Sequence, residues 1–391
     1  MLDIAEYFSF GCTRTPANSS RLVRFSVFFI NCFSKDYRYL FLIALANLFF
    51  TKPKVMKKEI FAIIALLLGM FLLSGCTDKS EVKIGFSVGP SHERWQKDID
   101  HFSARIRNAG ARLYVSEAGN SHEKQMQQVR ELLDRNIDVL VIVPVDSRKA
   151  AEIVCMAHEN DVRVIAYDRI INDCEIDFYI SFDNMRVGEM QAEYLSRMRP
   201  EGYYAILGGD PGDNNSILLR LGQMHVLQPF VESRRISIVA DQFIKDWSSD
   251  EAYRIIDNYL EANPGRLDAI VASNDNLAGG AFRALEKHNL AGKVLLSGQD
   301  AEAEACRRIV QGKQTMTVYK YIETLATVAA STALSMGKGE PVVNTQLSIN
   351  NGSVMVPAIL LSSMVSVHPE NLRMTVIADG YLDEAMVFGG N

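Results

Sequence analysis

From residue 82 onward, short apolar runs rich in β-branched side chains alternate with segments of helical period. Residues 139–143 read VLVIV with no polar break and are stopped by Pro144. A strand apolar on both faces must be covered on both, the condition of a parallel sheet with helices packed on each side. The pattern predicts strands near 82–88, 112–116, 139–143, 162–167 and 178–182. It restarts after Asp183-Asn184, with strands predicted near 203–207, 236–240, 269–272, 294–297 and 315–319. One sheet of about ten strands is unusually wide. The expectation is therefore an α/β fold of two lobes, each with its own parallel sheet. A helical segment follows residue 319, and a further apolar run spans 354–361. These predict that residues 81–182 plus about 321–348 form the first lobe, and 183–320 plus about 350–385 the second. Repeated crossings between lobes make a hinge.

In open α/β sheets, ligands bind outside the carboxyl ends of the strands. Here those ends carry polar side chains: Asp168-Arg169, Asp210, Asp241, Asn274-Asp275, Asp300 and Lys320. The chain's two tryptophans, Trp95 and Trp247, fall near such ends, and Arg94 precedes the first. Carboxylates accept from paired hydroxyls, a guanidinium donates from one plane and balances their charge, and indole faces cover C–H surfaces. Together these suit a carbohydrate. Taken one at a time, the residues stay ambiguous. Asn215, in the run Asp213-Asn214-Asn215, and Asn274 serve equally as helix caps, Trp95 and Trp247 as packing residues, and Asp168-Arg169 as a surface ion pair.

Other classes find little support. The net charge of −6 over 391 residues is mild and evenly spread, with no basic stripe for nucleic acid. No G-x-S-x-G elbow, phosphate loop or H-E-x-x-H motif is present, and no cofactor is implied. Cys155, Cys174 and Cys306 have no zinc-like spacing and read as ordinary core or surface residues. Residues 56–76 read as a secretory signal, with Lys57-Lys58 ahead of the apolar run 60–73. It ends in Leu73-Ser74-Gly75-Cys76, which resembles a bacterial lipobox. Cleavage there leaves Cys76 as a lipid-carrying N-terminus; the alternative is an uncleaved anchor. Residues 77–80 then form a linker, and 1–55 a doubtful upstream leader.

The strings ERWQKDID, DVLVIVP, VIAYDRIIND, EIDFYISFDN, GDNNS, VASNDNLAGGA, LSGQDAEA and QTMTVYK occur in order between about Glu81 and Asp379. Through them the chain resembles the periplasmic D-xylose-binding proteins of ABC transporters, within the ribose/galactose-type solute-binding class. The resemblance implies two Rossmann-like lobes joined by a three-segment hinge. It implies a pyranose in the cleft between them, touched by Arg94, Trp95, Asp168, Arg169, Asn215, Trp247, Asn274, Asp300 and Lys320. Asp210, Asp241 and Asp275 drop out of that set. Two departures stand out: residues 89–92 are shorter and less acidic than the usual stretch before ERWQ, and Phe243 stands where a second tryptophan is common. The implied partner is an ABC permease; a membrane sensor kinase is the alternative. An enzyme would need an activated nucleophile, and a repressor an N-terminal helix-turn-helix in place of the signal.

Overall fold

The computed structural model describes residues 81–90, 93–342 and 347–389. The leader 1–55, the signal 56–76 with Cys76, the linker 77–80 and Ser91-His92 lie outside the described residues.

The first lobe runs β1 (Lys83–Val88), α1 (Glu93–Asn108), β2 (Arg112–Glu117), α2 (His122–Leu133), β3 (Val139–Val143), α3 (Ala151–Glu159), β4 (Arg163–Tyr167) and β5 (Phe178–Phe182). Every residue of β3 is buried, and its side chains alternate between two cores. Val139, Val141 and Val143 pack with Phe102 of α1, while Leu140 and Ile142 pack with Val129 of α2 and Ile153 of α3. The two-residue strand period thus feeds both faces of the sheet at once.

The second lobe runs α4 (Asn184–Met198), β6 (Gly202–Gly208), α5 (Asn214–Glu232), β7 (Ile236–Phe243), α6 (Ser249–Ala262), β8 (Ala269–Ala272), α7 (Asp275–Lys287), β9 (Leu295–Leu296), α8 (Ala303–Val310) and β10 (Thr317–Lys320). Then come α9 (Ile322–Gly337), β11 (Leu347–Asn350), β12 (Met355–Leu361), β13 (Met364–Val367) and α10 (Glu384–Phe388). One sheet has the order β11-β12-β5-β4-β3-β1-β2 and the other β7-β6-β8-β9. Beyond β9, Gln299 bridges in parallel to Val318 of β10. In both lobes the order reverses beside the first strand, between β1 and β3 and between β6 and β8. That reversal opens the crevice where ligands bind.

The late part of the chain requires a correction. The sequence reading puts about 350–385 in the second lobe, yet β12 pairs in parallel with β5 of the first sheet. The chain therefore crosses between Phe182 and Asn184, again between Lys320 and Ile322, and a third time between Leu361 and Met364. Only then does β13 pair with β10. An apolar run shows that a strand exists, not which sheet edge completes it.

Helices α4 and α5 cross at glycines. A Cβ on Gly188 would lie 2.0 Å from the Leu219 carbonyl oxygen, and one on Gly222 2.0 Å from that of Met185. The two backbones are in contact, so Gly222→Ala should destabilise the fold by about 1–3 kcal/mol through overpacking. Urea unfolding measures this, and an unchanged midpoint would contradict it.

Candidate functional site

All nine residues singled out from the sequence line one cavity of about 470 Å³, its solvent-facing mouth included. From the first lobe, Arg94 and Trp95 lie in the first turn of α1, directly beyond β1, and Asp168 and Arg169 follow β4. From the second, Asn215 opens α5, Trp247 follows β7, Asn274 caps α7, Asp300 follows β9 and Lys320 ends β10. Asn184, Asp213, Leu219, Gln299 and Glu302 complete the lining.

The charges in the cavity satisfy one another. Arg94 Nη2 lies 2.8 Å from Asp168 Oδ2 and Nη1 3.5 Å from Asp300 Oδ1. Lys320 Nζ lies 3.2 Å from Asp300 Oδ1, and Arg169 Nε 2.8 Å from Asp213 Oδ2. Burial opposes the charge on Arg94, but Asp168, Asp98 and Asp300 outweigh it and raise its pKa well above the ordinary value. Burial likewise pushes Asp300 up, and Lys320 and Arg94 overcome it, holding the carboxyl below its usual range. Asp213 goes the other way: burial raises it despite Arg169. Because each buried charge already has a partner, a neutral guest imposes no unpaired charge.

Neutral hydrogen-bonding capacity is left over. Asn184 Oδ1, Asn215 Oδ1, Gln299 Oε1 and Trp247 Nε1 are buried with no hydrogen-bond partner among the described residues. Arg94 Nη2 is close to Asp168 but off hydrogen-bond alignment, so charge holds the pair and a donor remains. Buried polar groups are nearly always satisfied. Acceptors and donors interspersed in one cavity match hydroxyl groups, which do both.

The backbone is strained where these side chains turn inward. Asp168 (φ 61°), Trp247 (φ 54°) and Asp300 (φ 94°) all sit in left-handed conformations, which are uncommon outside glycine and concentrate at functional sites. Gly209 makes room for the second indole: a Cβ there would lie 2.2 Å from Cη2 and Cζ2 of Trp247.

Asn274 is both cap and lining residue. Its side chain accepts from Leu277 N at 2.9 Å while the residue borders the cavity. The other strand-end carboxylates do not reach the cavity. Asp241 pairs with Arg220, its Oδ1 2.7 Å from Nε. Asp210 accepts from Gly212 N at 2.6 Å and Asp246 N at 2.5 Å. Asp275 accepts from Gln314 Nε2 and Thr317 Oγ1, both at 2.9 Å, and burial pushes it up to about 7 against the pull of Arg308. Phe243 is exposed and forms no part of the lining. Sequence reading does not name Asn184, Asp213, Leu219, Gln299 or Glu302 as site residues. Gln299 had a usable signal, since it precedes Asp300 at the same strand end.

Residues 84–341 match the family model described as a periplasmic binding protein domain. The D-xylose-binding periplasmic protein of Escherichia coli (strain K12) is 44% identical over 325 residues, covering 83% of this chain and 98% of that protein. Its counterpart in Haemophilus influenzae is 42% identical over 328 residues, covering 84% and 98%. Among solved structures, a carbohydrate transporter solute binding protein from Chloroflexus aurantiacus, in complex with D-glucose, superposes with a TM-score of 0.73 at 27% identity. It covers 78% of this chain and 98% of that one. The two-lobed α/β architecture, the matched family model and relatives similar over nearly their whole length agree: the chain belongs to the periplasmic binding protein family.

Proposed function

We propose that this protein is an extracytoplasmic receptor that binds D-xylose, or a closely related monosaccharide, in the cleft between its lobes and hands it to an ABC importer. One observation carries the reading: a charge-balanced cavity with unused neutral donors and acceptors, flanked by two indoles and lined from both lobes. The relatives named for D-xylose support the choice of sugar.

Binding and closure are one event in this scheme, because a ligand that touches both lobes favours the state in which they meet. Direct interlobe bonds accompany that state. Ser147 N donates to Gly212 O at 3.0 Å, Asn214 N to Ser147 Oγ at 3.3 Å, and Asn215 Nδ2 to Asp168 O at 3.0 Å. Trp95 and Trp247 flank the sugar ring, the two arginines and Lys320 donate to its hydroxyls, and Asp168 and Asp300 accept from them. No bond is made or broken, so no catalytic base is needed. Both tryptophans of the chain line the cavity. D-xylose should therefore change the tryptophan emission saturably, and a sugar panel that leaves it unmoved contradicts the reading.

The lipobox-like Leu73-Ser74-Gly75-Cys76 supports a lipid tether on Cys76 at the membrane surface. Cys76→Ser should then release the protein from membranes; equal membrane retention would refute the tether.

A further inference from the structure

Asp98 lies one turn beyond Arg94 on α1, is fully buried, and is absent from the cavity lining. Its Oδ2 is 3.3 Å from Arg94 Nε, and its Oδ1 accepts from Tyr167 Oη at 2.5 Å. Tyr167 is the last residue of β4 and directly precedes Asp168. All three nitrogens of the Arg94 guanidinium thus have carboxylates near them: Nε has Asp98, Nη2 Asp168 and Nη1 Asp300. A planar fork held at Nε from behind has its plane fixed, and the two Nη groups are left facing the cavity.

We infer that Asp98 is a positioning residue for ligand binding: its carboxylate, anchored by the Tyr167 hydroxyl, sets the plane in which Arg94 meets the ligand, so that affinity falls when Asp98 takes up a proton. The inference deepens the sugar-receptor reading and rests on it. A protonated Asp98 gives Arg94 Nε no charged acceptor, and the guanidinium is free to swing toward Asp168 and Asp300 and away from the guest.

The groups around Asp98 define the pH range. Burial pushes its carboxyl up to about 6. Arg94 and the Tyr167 hydrogen bond act against that, Asp168 adds to it, and Lys320 opposes it. Tyr381, from the C-terminal segment, also feels the Asp98 charge. The folded-state pKa lies above the unfolded one, so the protonated form stabilises the fold, and that contribution is lost as pH rises through about 6. The ionised form is the one that serves binding. Fold stability and affinity therefore respond to this carboxyl in opposite senses. Merely structural packing would make them move together.

The test measures Kd for D-xylose between pH 4.5 and 8 on the purified wild-type protein, Asp98→Asn and Tyr167→Phe, with thermal unfolding alongside. The wild type should lose affinity as pH falls through about 6. Asp98→Asn should bind about tenfold or more weakly at neutral pH and lack that step, with no drop in unfolding temperature. Tyr167→Phe, which deprives the carboxylate of a donor, should move the step to higher pH, and it carries the test alone if Asp98→Asn does not fold. A wild type that binds while Asp98→Asn matches its affinity or keeps its pH step refutes the positioning role alone. A step left in place by Tyr167→Phe also refutes it. A wild type that binds no sugar refutes the receptor reading and this inference with it.

Discussion

Asp168→Asn should weaken sugar binding by about a hundredfold to a thousandfold and leave the fold intact. The side chain is 2% exposed, and its carboxylate sits 2.8 Å from Arg94 Nη2. Truncating one partner of a buried charge pair costs about 2–5 kcal/mol, much of it the penalty of stranding the other charge. Asparagine is the informative substitution because it tolerates the left-handed backbone at this position (φ 61°). The backbone carbonyl, which accepts from Ser181 Oγ at 2.6 Å and from Asn215 Nδ2 at 3.0 Å, is untouched by any substitution here. Asp168→Ala should be worse, because it also removes the side-chain oxygen and strains the left-handed turn. Calorimetric Kd values with circular-dichroism melts measure this. Wild-type affinity in Asp168→Asn would mean that the Arg94–Asp168 pair is not part of the binding surface.

The second large effect is expected at a residue that reaches no ligand. Gly209→Val places a branched side chain where a Cβ alone would lie 2.2 Å from the Trp247 ring. The indole must leave its seat, and affinity should fall about thirtyfold or more, the scale of losing a buried aromatic anchor. Trp247→Ala should lose a similar amount, and adding Gly209→Val to it should cost little more, because both changes remove the same contact. Displaced from a site where it is now 6% exposed, the tryptophan should also emit at longer wavelength. A Gly209→Val protein with wild-type affinity and emission would show that the indole position is immaterial.

How far the sequence reveals this site can be followed residue by residue. Arg94, Trp95, Asp168, Arg169 and Asp300 are legible because a strand end in a parallel sheet places its next residues at the crevice, whatever their identity. The same logic nominates Asp210, Asp241 and Asp275. It fails there because side-chain direction within the turn, not position along the chain, decides who faces the cavity. Asp241 turns toward Arg220 and Asp275 toward Gln314 and Thr317. Asn274 resists a single label because it caps α7 and borders the cavity together. Asp98 is hidden for another reason. In the polar run QKDID it looks like a solvated helix face, and only the Tyr167 hydroxyl arriving from β4 reveals that it is buried. The sheet to which Met355–Leu361 belongs is likewise fixed by pairing with a distant strand, Phe178–Phe182, and no local pattern records it.

The most direct test of the receptor reading is calorimetric titration of the purified protein, stripped of copurified sugar, with D-xylose, ribose, arabinose, glucose and galactose. Saturable one-to-one binding in which D-xylose is held most tightly, and which Asp168→Asn weakens, is the expected result. Absence of heat with all five sugars, or binding that Asp168→Asn leaves unchanged, would contradict a D-xylose site in this cleft.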